Sequence, residues 1–440
     1  MKISKQSLFL LVLFSIHIIP LFGQLKSGPM LGYSDLKEVM IWVQTNGAST
    51  VQIKYWEKGN SKNVHFTEKM STWKDENFTA HLLVDEVEYG KKYEYTVLVN
   101  GKAQSFEYPL EFQTQDLWQY RKDPPNFSFA FGSCNYVNDE KSDRPGSPYG
   151  ANLDIFTTID SKHPDFMIWG GDNFYYREPD YTKTGMWYRN DDTRKVEQLA
   201  PLLAHTHQYA IWDDHDYGPN DADRSWTLKN LSLEVFKQYW ANPNYVFENE
   251  GVTGHFSWSD VDFFLMDDRW FKAPNDLEDP NKDYFGEKQL NWLLDAMTYS
   301  KASFKIIVTG GQILNPAKVF ENMANYEAER NKLLSEIEKR KIPGVLFLTG
   351  DRHVHSFWKL NRKDNYPLYE ITASPLSAGV AKPHKLDNNE VLVPGTLISK
   401  NGFAYIQVSG PKDDRVMNIQ LIGTQGELLW EQKLNAKDLK

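Results

Sequence analysis

The chain has 440 residues, 41% hydrophobic and 25% charged, with 59 acidic against 49 basic side chains and a formal net charge of −10. That length calls for two or three domains, and the composition is that of a globular protein with enough apolar material for a sizeable core. The acidic balance argues against a nucleic-acid-binding domain or an anionic-membrane surface, since both need a positive field.

The chain opens with a short basic segment, "MKISK", then the apolar run "LFLLVLFSIHII" and "PLFGQ". This is the pattern of a secretory signal peptide over residues 1–23, too short to span a bilayer, with cleavage expected near Gly23 and Gln24 as the mature start. No later run is long and apolar enough for a transmembrane anchor, and no cysteine stands near the cleavage site to carry a lipid. The expected location is periplasmic or secreted. The single cysteine, Cys134, forms no internal disulfide, so it is a bystander, an intermolecular bridge or a functional thiol.

Residues 26–114 read as strands: "VMIWVQT", "VQIKYW", "FTAHLLV" and "KYEYTVLVN", separated by turn signals such as "NGAS" and "EKGNS". They predict a small all-β sandwich of immunoglobulin or fibronectin type, with no catalytic spacing in it. The two-proline stretch "QYRKDPPN" is a linker. From Phe127 the runs "FSFAFGS", "DFMIWGG", "QYAIW", "VDFFLM", "FKIIVTGG" and "VLFLTG" alternate with helical stretches such as "ANLDIFTTIDSK", "RKVEQLAPLLAHTH" and "EKQLNWLLDAM". Strand–helix alternation predicts an α/β core. The strands "LYEITA", "FAYIQVS", "VMNIQLIG" and "ELLWEQKL" complete a sheet pair flanked by helices, making 127–440 one α/β domain.

Each apolar run of this region ends in chemistry-bearing side chains. After "FSFAFGS" come Cys134 and Asn135; "GDNFYY" places Asp172 and Tyr175; after "QYAIW" come Asp213, Asp214, His215 and Asp216. "VDFFLM" is followed by Asp267, Asp268 and Arg269, "FKIIVTGG" by Gln312, and "VLFLTG" by Asp351, Arg352, His353 and His355. Ligands of α/β proteins bind beyond the carboxyl ends of the strands. One such aspartate alone is a turn or helix-cap residue. The full set, with cysteine, tyrosine and histidine among the acids, is a metal-ligating constellation. Crowded carboxylates resist burial unless a cation lies between them, and one carboxylate can bridge two ions about 3.5–4 Å apart to clamp phosphoryl oxygens.

These motifs carry a resemblance. "GDNFY" is similar to the GDxxY signature of metallophosphoesterases of the purple acid phosphatase type. "DDHD" stands where that superfamily has Gly-Asn-His-Asp/Glu, and "TGDRH" where it has Gly-His-x-His. Together with "GSC", a β-sandwich and a signal peptide, the chain from about Lys26 onward resembles the alkaline phosphatase D family. The resemblance implies a metallophosphoesterase αββα sandwich and hydrolysis of phosphate mono- or diesters by metal-activated hydroxide. It implies ferric iron with calcium or another divalent metal. Asp172 would bridge; Cys134, Tyr175 and His353 would ligate iron; Asp214 and Asp351 would replace the usual asparagine and histidine on the second metal. His215 would face the phosphate as general acid or electrostatic stabiliser.

The superfamily's middle histidine is absent after "FKIIVTG", with Gln312 the nearest polar residue. Asp213, Asp216, Asn135, Arg269, Gln312, Arg352 and His355 are further metal or substrate candidates. The two arginines suit bidentate phosphate binding and equally suit salt bridges in an acidic cluster. Two other readings stand beside this one. Cys134 could be a nucleophile, or the chain could be a secreted, calcium-stabilised binding module, against which cysteine and tyrosine are poor calcium ligands. "REPDYTKTGMWYRNDD" reads as a lid or pocket wall, or as a surface excursion.

Overall fold

The computed structural model describes residues 24–440, so the signal-peptide expectation for 1–23 lies outside it. No helix of the described residues is long and apolar enough to cross a membrane. The N-terminal part is two antiparallel sheets face to face. One joins Leu25–Ser34, Val39–Thr45 and Thr79–Val84; the other is built on Thr50–Glu57 paired with Lys92–Val99. Alternate side chains point inward, so Ile41, Val43 and Leu82 of one sheet meet Val51, Ile53, Tyr95 and Val97 of the other.

The strand Leu25–Ser34 has no clean alternation in sequence, because Gly28, Pro29 and Gly32 interrupt it. Its use is tertiary. Tyr33 donates its N–H to the Ala241 carbonyl at 3.0 Å, and a Cβ on Gly32 would fall 2.3 Å from the Ala241 methyl. Only glycine permits that approach. The same strand accepts a bond from His207 Nδ1 at the Gly32 carbonyl (2.8 Å), seating the sandwich on the larger part.

The larger part is an αββα sandwich. Its first six-stranded sheet runs in the order His207–Ile211, Phe166–Gly170, Phe127–Gly132, Gly402–Ser409, Val416–Gly423, Leu428–Asn435, the first three strands being parallel. The second runs Gly254–Trp258, Val261–Leu265, Phe304–Val308, Val345–Thr349, Asn365–Thr372, Ser356–Arg362, with the four middle strands parallel. Phe129, Phe166 and Tyr209 face the other sheet, where Phe129 meets Phe263 edge-on at 5.3 Å and Tyr209 stacks on Phe256 at 3.7 Å. Met167, Trp169 and Ala210 point the opposite way, onto helices Asp154–Ser161 and Lys229–Tyr239. Helices Glu287–Tyr299 and Glu327–Lys339 cover the outer face of the second sheet with Leu290, Leu294, Leu333 and Ile337. Burial on both faces is why these strands read as unbroken apolar runs.

One helix departs from the sequence expectation. Lys183–Arg194 begins inside the segment read as a lid and ends two residues beyond it, whereas "RKVEQLAPLLAHTH" otherwise forms only the short helix Ala200–His205. The buried face of Lys183–Arg194 includes Arg189, Asn190, Asp191 and Arg194. Arg189 is ion-paired with Asp180 at 2.8 Å and Asp139 at 3.3 Å. A polar buried face leaves no hydrophobic periodicity to read.

Candidate metal centre

The carboxyl ends of the parallel strands converge where the edges of the two sheets meet. Cys134 follows Phe127–Gly132, Asp172 follows Phe166–Gly170, Asp214 and His215 open the short helix Asp214–Tyr217, and Asp351 and His353 follow Val345–Thr349. Cys134, Asp172, Asp351 and His353 all adopt left-handed backbone, with φ of 59°, 52°, 60° and 53°. Non-glycine residues held there cost roughly 1–3 kcal/mol each, a concentration of strain found at functional sites. A Cβ on Gly310 would lie 2.1 Å from Asp213 Oδ2, so that turn too can only be glycine.

The side chains form two groups that share one carboxylate. Donor atoms of Cys134, Asp172 and His353 lie within 4.8 Å of one another, as do those of Asp172, Asp214 and His215. Tyr175 OH is 3.0 Å from Asp172 Oδ2 and 3.0 Å from His353 Nε2. Cys134 Sγ lies 3.5 Å from Asp172 Oδ2 and accepts from Ser374 Oγ at 3.1 Å. His353 donates from Nδ1 to the Gly379 carbonyl at 2.5 Å, which fixes the tautomer and leaves the Nε2 lone pair facing Asp172 and Tyr175.

The electrostatics show what this arrangement needs. Burial, then Asp214 and Cys134, push Asp172 well above the ordinary carboxylate range. Burial drives the Cys134 thiol up to about 11 and raises the Tyr175 phenol further. Desolvation and Asp214 raise Asp351, whose Oδ2 is shut from solvent without a hydrogen-bond partner. Buried anionic donors become favourable when a cation neutralises them. A thiolate, a phenolate and an imidazole suit a transition metal, and the carboxylates of Asp172, Asp214 and Asp351 suit a hard cation, so the residues present fit bound metal.

The further sequence candidates are engaged by the protein itself. Asp213 is ion-paired with Arg269, and its Oδ1 accepts from the Asp214 N–H at 3.0 Å. Asp216 accepts from the Asp213 N–H (2.6 Å) and Asn173 Nδ2 (2.6 Å), and burial raises it to about 8. Asn135 bridges Ser377 Oγ (2.7 Å) and the Asn173 carbonyl (3.0 Å). Gln312 bonds Thr372, Asn315 and Arg352, and Arg352 makes a two-point contact with Asp387 at 3.0 and 3.2 Å. His355 donates to the Lys400 carbonyl (2.9 Å) and accepts from the Ser374 N–H (3.1 Å), with burial holding it down at about 3.

Two residues escaped sequence reasoning. Glu321 completes a third group with Asp213 and Asp214, and it pairs with Arg269 at 2.7 Å and with Lys272. It lies in an irregular stretch with no motif around it. Lys272, buried beside Arg269, is pushed down to about 7 by burial and by that neighbour. These two cations hold Asp213, Asp268 and Glu321 beneath the metal-ligand candidates.

The site opens into a cleft of about 1030 Å³ lined by residues of 136–149, 175–181, His215 and Asn220. The segment read as a lid thus supplies wall residues Arg177, Glu178 and Tyr181, while the helix that follows packs into the fold.

Comparison with known proteins adds independent findings. A family model described as PhoD-like phosphatase matches residues 188–410, which include Asp214, His215, Asp351 and His353. A domain of unknown function, DUF7800, matches residues 23–117. Alkaline phosphatase D of Bacillus subtilis (strain 168) is 24% identical over 219 residues, which is 41% of this chain and 36% of the relative. The aligned part is thus little more than a third of that relative's length. A solved structure of PhoD superposes with a TM-score of 0.76 at 14% identity, covering 93% of this chain and 90% of that one. A purple acid phosphatase from yellow lupin (Lupinus luteus) seeds superposes with a TM-score of 0.68 at 10% identity, covering 92% and 74%. At such identities the likeness concerns the fold.

Proposed function

The chain belongs to the PhoD-like phosphatase family, and from that premise we propose that it is a secreted, metal-dependent phosphoesterase acting on phosphate mono- or diesters. The observation that carries this reading is the Asp172 carboxylate, common to two donor groups each within 4.8 Å. A shared carboxylate is what a two-metal phosphoryl site requires. We assign Cys134, Tyr175, His353 and Asp172 to ferric iron; of the second group we assign Asp172 and Asp214 to calcium or another divalent metal, joined by Asp351 from outside the 4.8 Å groups, and leave His215 to the ester. Bound there, the ions supply positive charge against phosphoryl oxygens and acidify water.

The remaining work falls to the chain's own residues. His215 lines the cleft with its side chain 22% exposed, its ring lies 4.1 Å from that of Tyr175, and its backbone N–H donates to Asp172 Oδ1 at 3.2 Å. It can hydrogen-bond a phosphoryl oxygen and hand a proton to the leaving alkoxide. Asp214 is held by the Asp221 N–H at 2.7 Å, and Ser133 and Ser374 hold the Cys134 sulfur. That sulfur is fully buried, and its partners are Ser133, Asp172 and Ser374 rather than a histidine, which argues against a thiol nucleophile. Export to the periplasm or beyond, and a division into a 26–114 sandwich domain and a 127–440 catalytic domain, belong to the same proposal.

The test is the metal content and visible spectrum of the purified protein, with turnover of 4-nitrophenyl and bis(4-nitrophenyl) phosphate before and after chelation. Iron with a second metal, a charge-transfer band and chelator-sensitive turnover are expected. Calcium alone, with no colour and no turnover, would favour the binding-module reading.

A further inference from the structure

The cleft is far larger than a phosphoryl group needs. Its volume of about 1030 Å³ is at the top of the roughly 300–1,000 Å³ typical of sites that enclose drug-sized molecules. Five tyrosines, Tyr136, Tyr149, Tyr175, Tyr176 and Tyr181, stand in its walls among polar and charged residues. Tyr149 is 47% exposed, packed edge-on by Tyr136 at 4.9 Å, and its hydroxyl lies 3.2 Å from His353 Nδ1. On the segment 175–181, Tyr181 is half-buried and braced by Trp226 at 5.4 Å. The charges of the lining leave no surplus cation. Arg177 is paired with Asp143 at 2.9 Å and Arg144 with Glu178 at 3.4 Å, while Glu140 adds a negative charge. Aromatic faces take up planar rings, whereas a second anionic group would meet a lining whose acidic side chains, Glu140, Asp143 and Glu178, outnumber its basic ones, Arg144 and Arg177.

Resting on the phosphoesterase reading above, we propose that this cleft receives the alcohol part of the ester and selects an uncharged planar ring, with Tyr149 and Tyr181 as the specificity-determining residues. The ester enters with its phosphoryl group toward Asp172 and His215 and its ring between the two tyrosine-bearing walls.

The test compares benzyl phosphate with ethyl phosphate, whose leaving alcohols are of similar acidity, so that a difference in kcat/KM reports recognition. The metal-loaded protein is expected to favour the benzyl ester about 10-fold or more. Tyr181→Ala and Tyr149→Ala each remove most of that preference, mainly through KM, while Tyr149→Phe keeps it because the ring carries the contact. Inorganic triphosphate is expected to compete no better than inorganic phosphate. Equal kcat/KM on the two esters, equal losses on both in Tyr181→Ala, or tenfold tighter triphosphate binding would each overturn the proposal. The phosphoesterase reading stands or falls separately, on turnover of the two 4-nitrophenyl esters, and neither benzyl nor ethyl phosphate need turn over for the ring preference to be read. Calorimetry with benzylphosphonate against ethylphosphonate then still decides the ring preference, equal affinities overturning it.

Discussion

Replacing Arg269 by methionine separates a structural cation from a substrate-binding one. The guanidinium is fully buried, 2.7 Å from Glu321 and 3.5 Å from Asp268, and ion-paired with Asp213. Without it, Lys272, paired with Glu321 and pushed down to about 7, is the remaining cation beside the buried carboxylates of Asp213, Asp268 and Glu321. One pair at about 3 Å is a Coulomb term of roughly 5 kcal/mol at an effective dielectric constant of 20. Much of that is offset by the desolvation of the arginine, so removing one member of a buried pair costs about 3–5 kcal/mol net. With a urea slope of about 3 kcal/mol per molar, the midpoint of unfolding falls by about 1–2 M. Adding Asp213→Asn to Arg269→Met should recover part of the loss, because one stranded charge disappears. The assay is urea unfolding alongside KM for a phosphate ester. A midpoint unchanged within about 0.3 M, combined with a tenfold rise in KM, would refute the structural role and place Arg269 on the phosphate.

Three further expectations follow from the site and the core. Asp172→Asn should lower metal occupancy of both groups and cut kcat/KM by at least about 100-fold; full activity with full metal content would remove the shared-carboxylate site. His215→Ala should keep its metals while losing about 100- to 10,000-fold in kcat, and loss of metal would show a ligand role instead. Burial holds the imidazoles of His81 and His207 down at about 4, against an ordinary 6.5. The unfolded chain therefore binds extra protons between those values, so the stability from neutral histidine is complete above pH 6.5 and is lost as pH falls toward 4. Each histidine should remove about 1 kcal/mol between pH 7 and pH 5.5, seen as a falling urea midpoint. His207→Gln should reduce that slope, and an unchanged slope would contradict a buried neutral His207.

Much of the candidate site was legible because the central strands of the two sheets are apolar throughout and end abruptly. The runs holding Phe166–Gly170 and Val345–Thr349 are short, so the residues after them, Asp172 and Asp351, stand out against what precedes them. The roles of the second-rank residues were not legible. Asp216 and Asn135 have the chemistry of ligands, yet a capping interaction and a loop brace occupy them. His355 reads like a partner of His353 two positions on, but it is directed at the Lys400 carbonyl. A ligand and a hydrogen-bond brace use the same atoms, so residue type does not tell them apart.

Sequence by itself determined the order of the β-sandwich and the α/β region and the family resemblance, together with Cys134, Asp172, Tyr175, Asp214, His215, Asp351 and His353 as metal-site candidates. These are local properties: a hydrophobic period, a turn, a motif of a few residues. Only the tertiary structure decided which of the acidic side chains lie together and what else surrounds them. Phe127–Gly132 pairs with Gly402–Ser409, and Gly379 and Ser374 reach back to His353 and Cys134. Glu321 meets Arg269, Lys272 and Asp213 through loops with no pattern of their own. The physical reason is that burial and electrostatic coupling depend on distances through space, and contacts between remote segments leave no local period or motif in the chain.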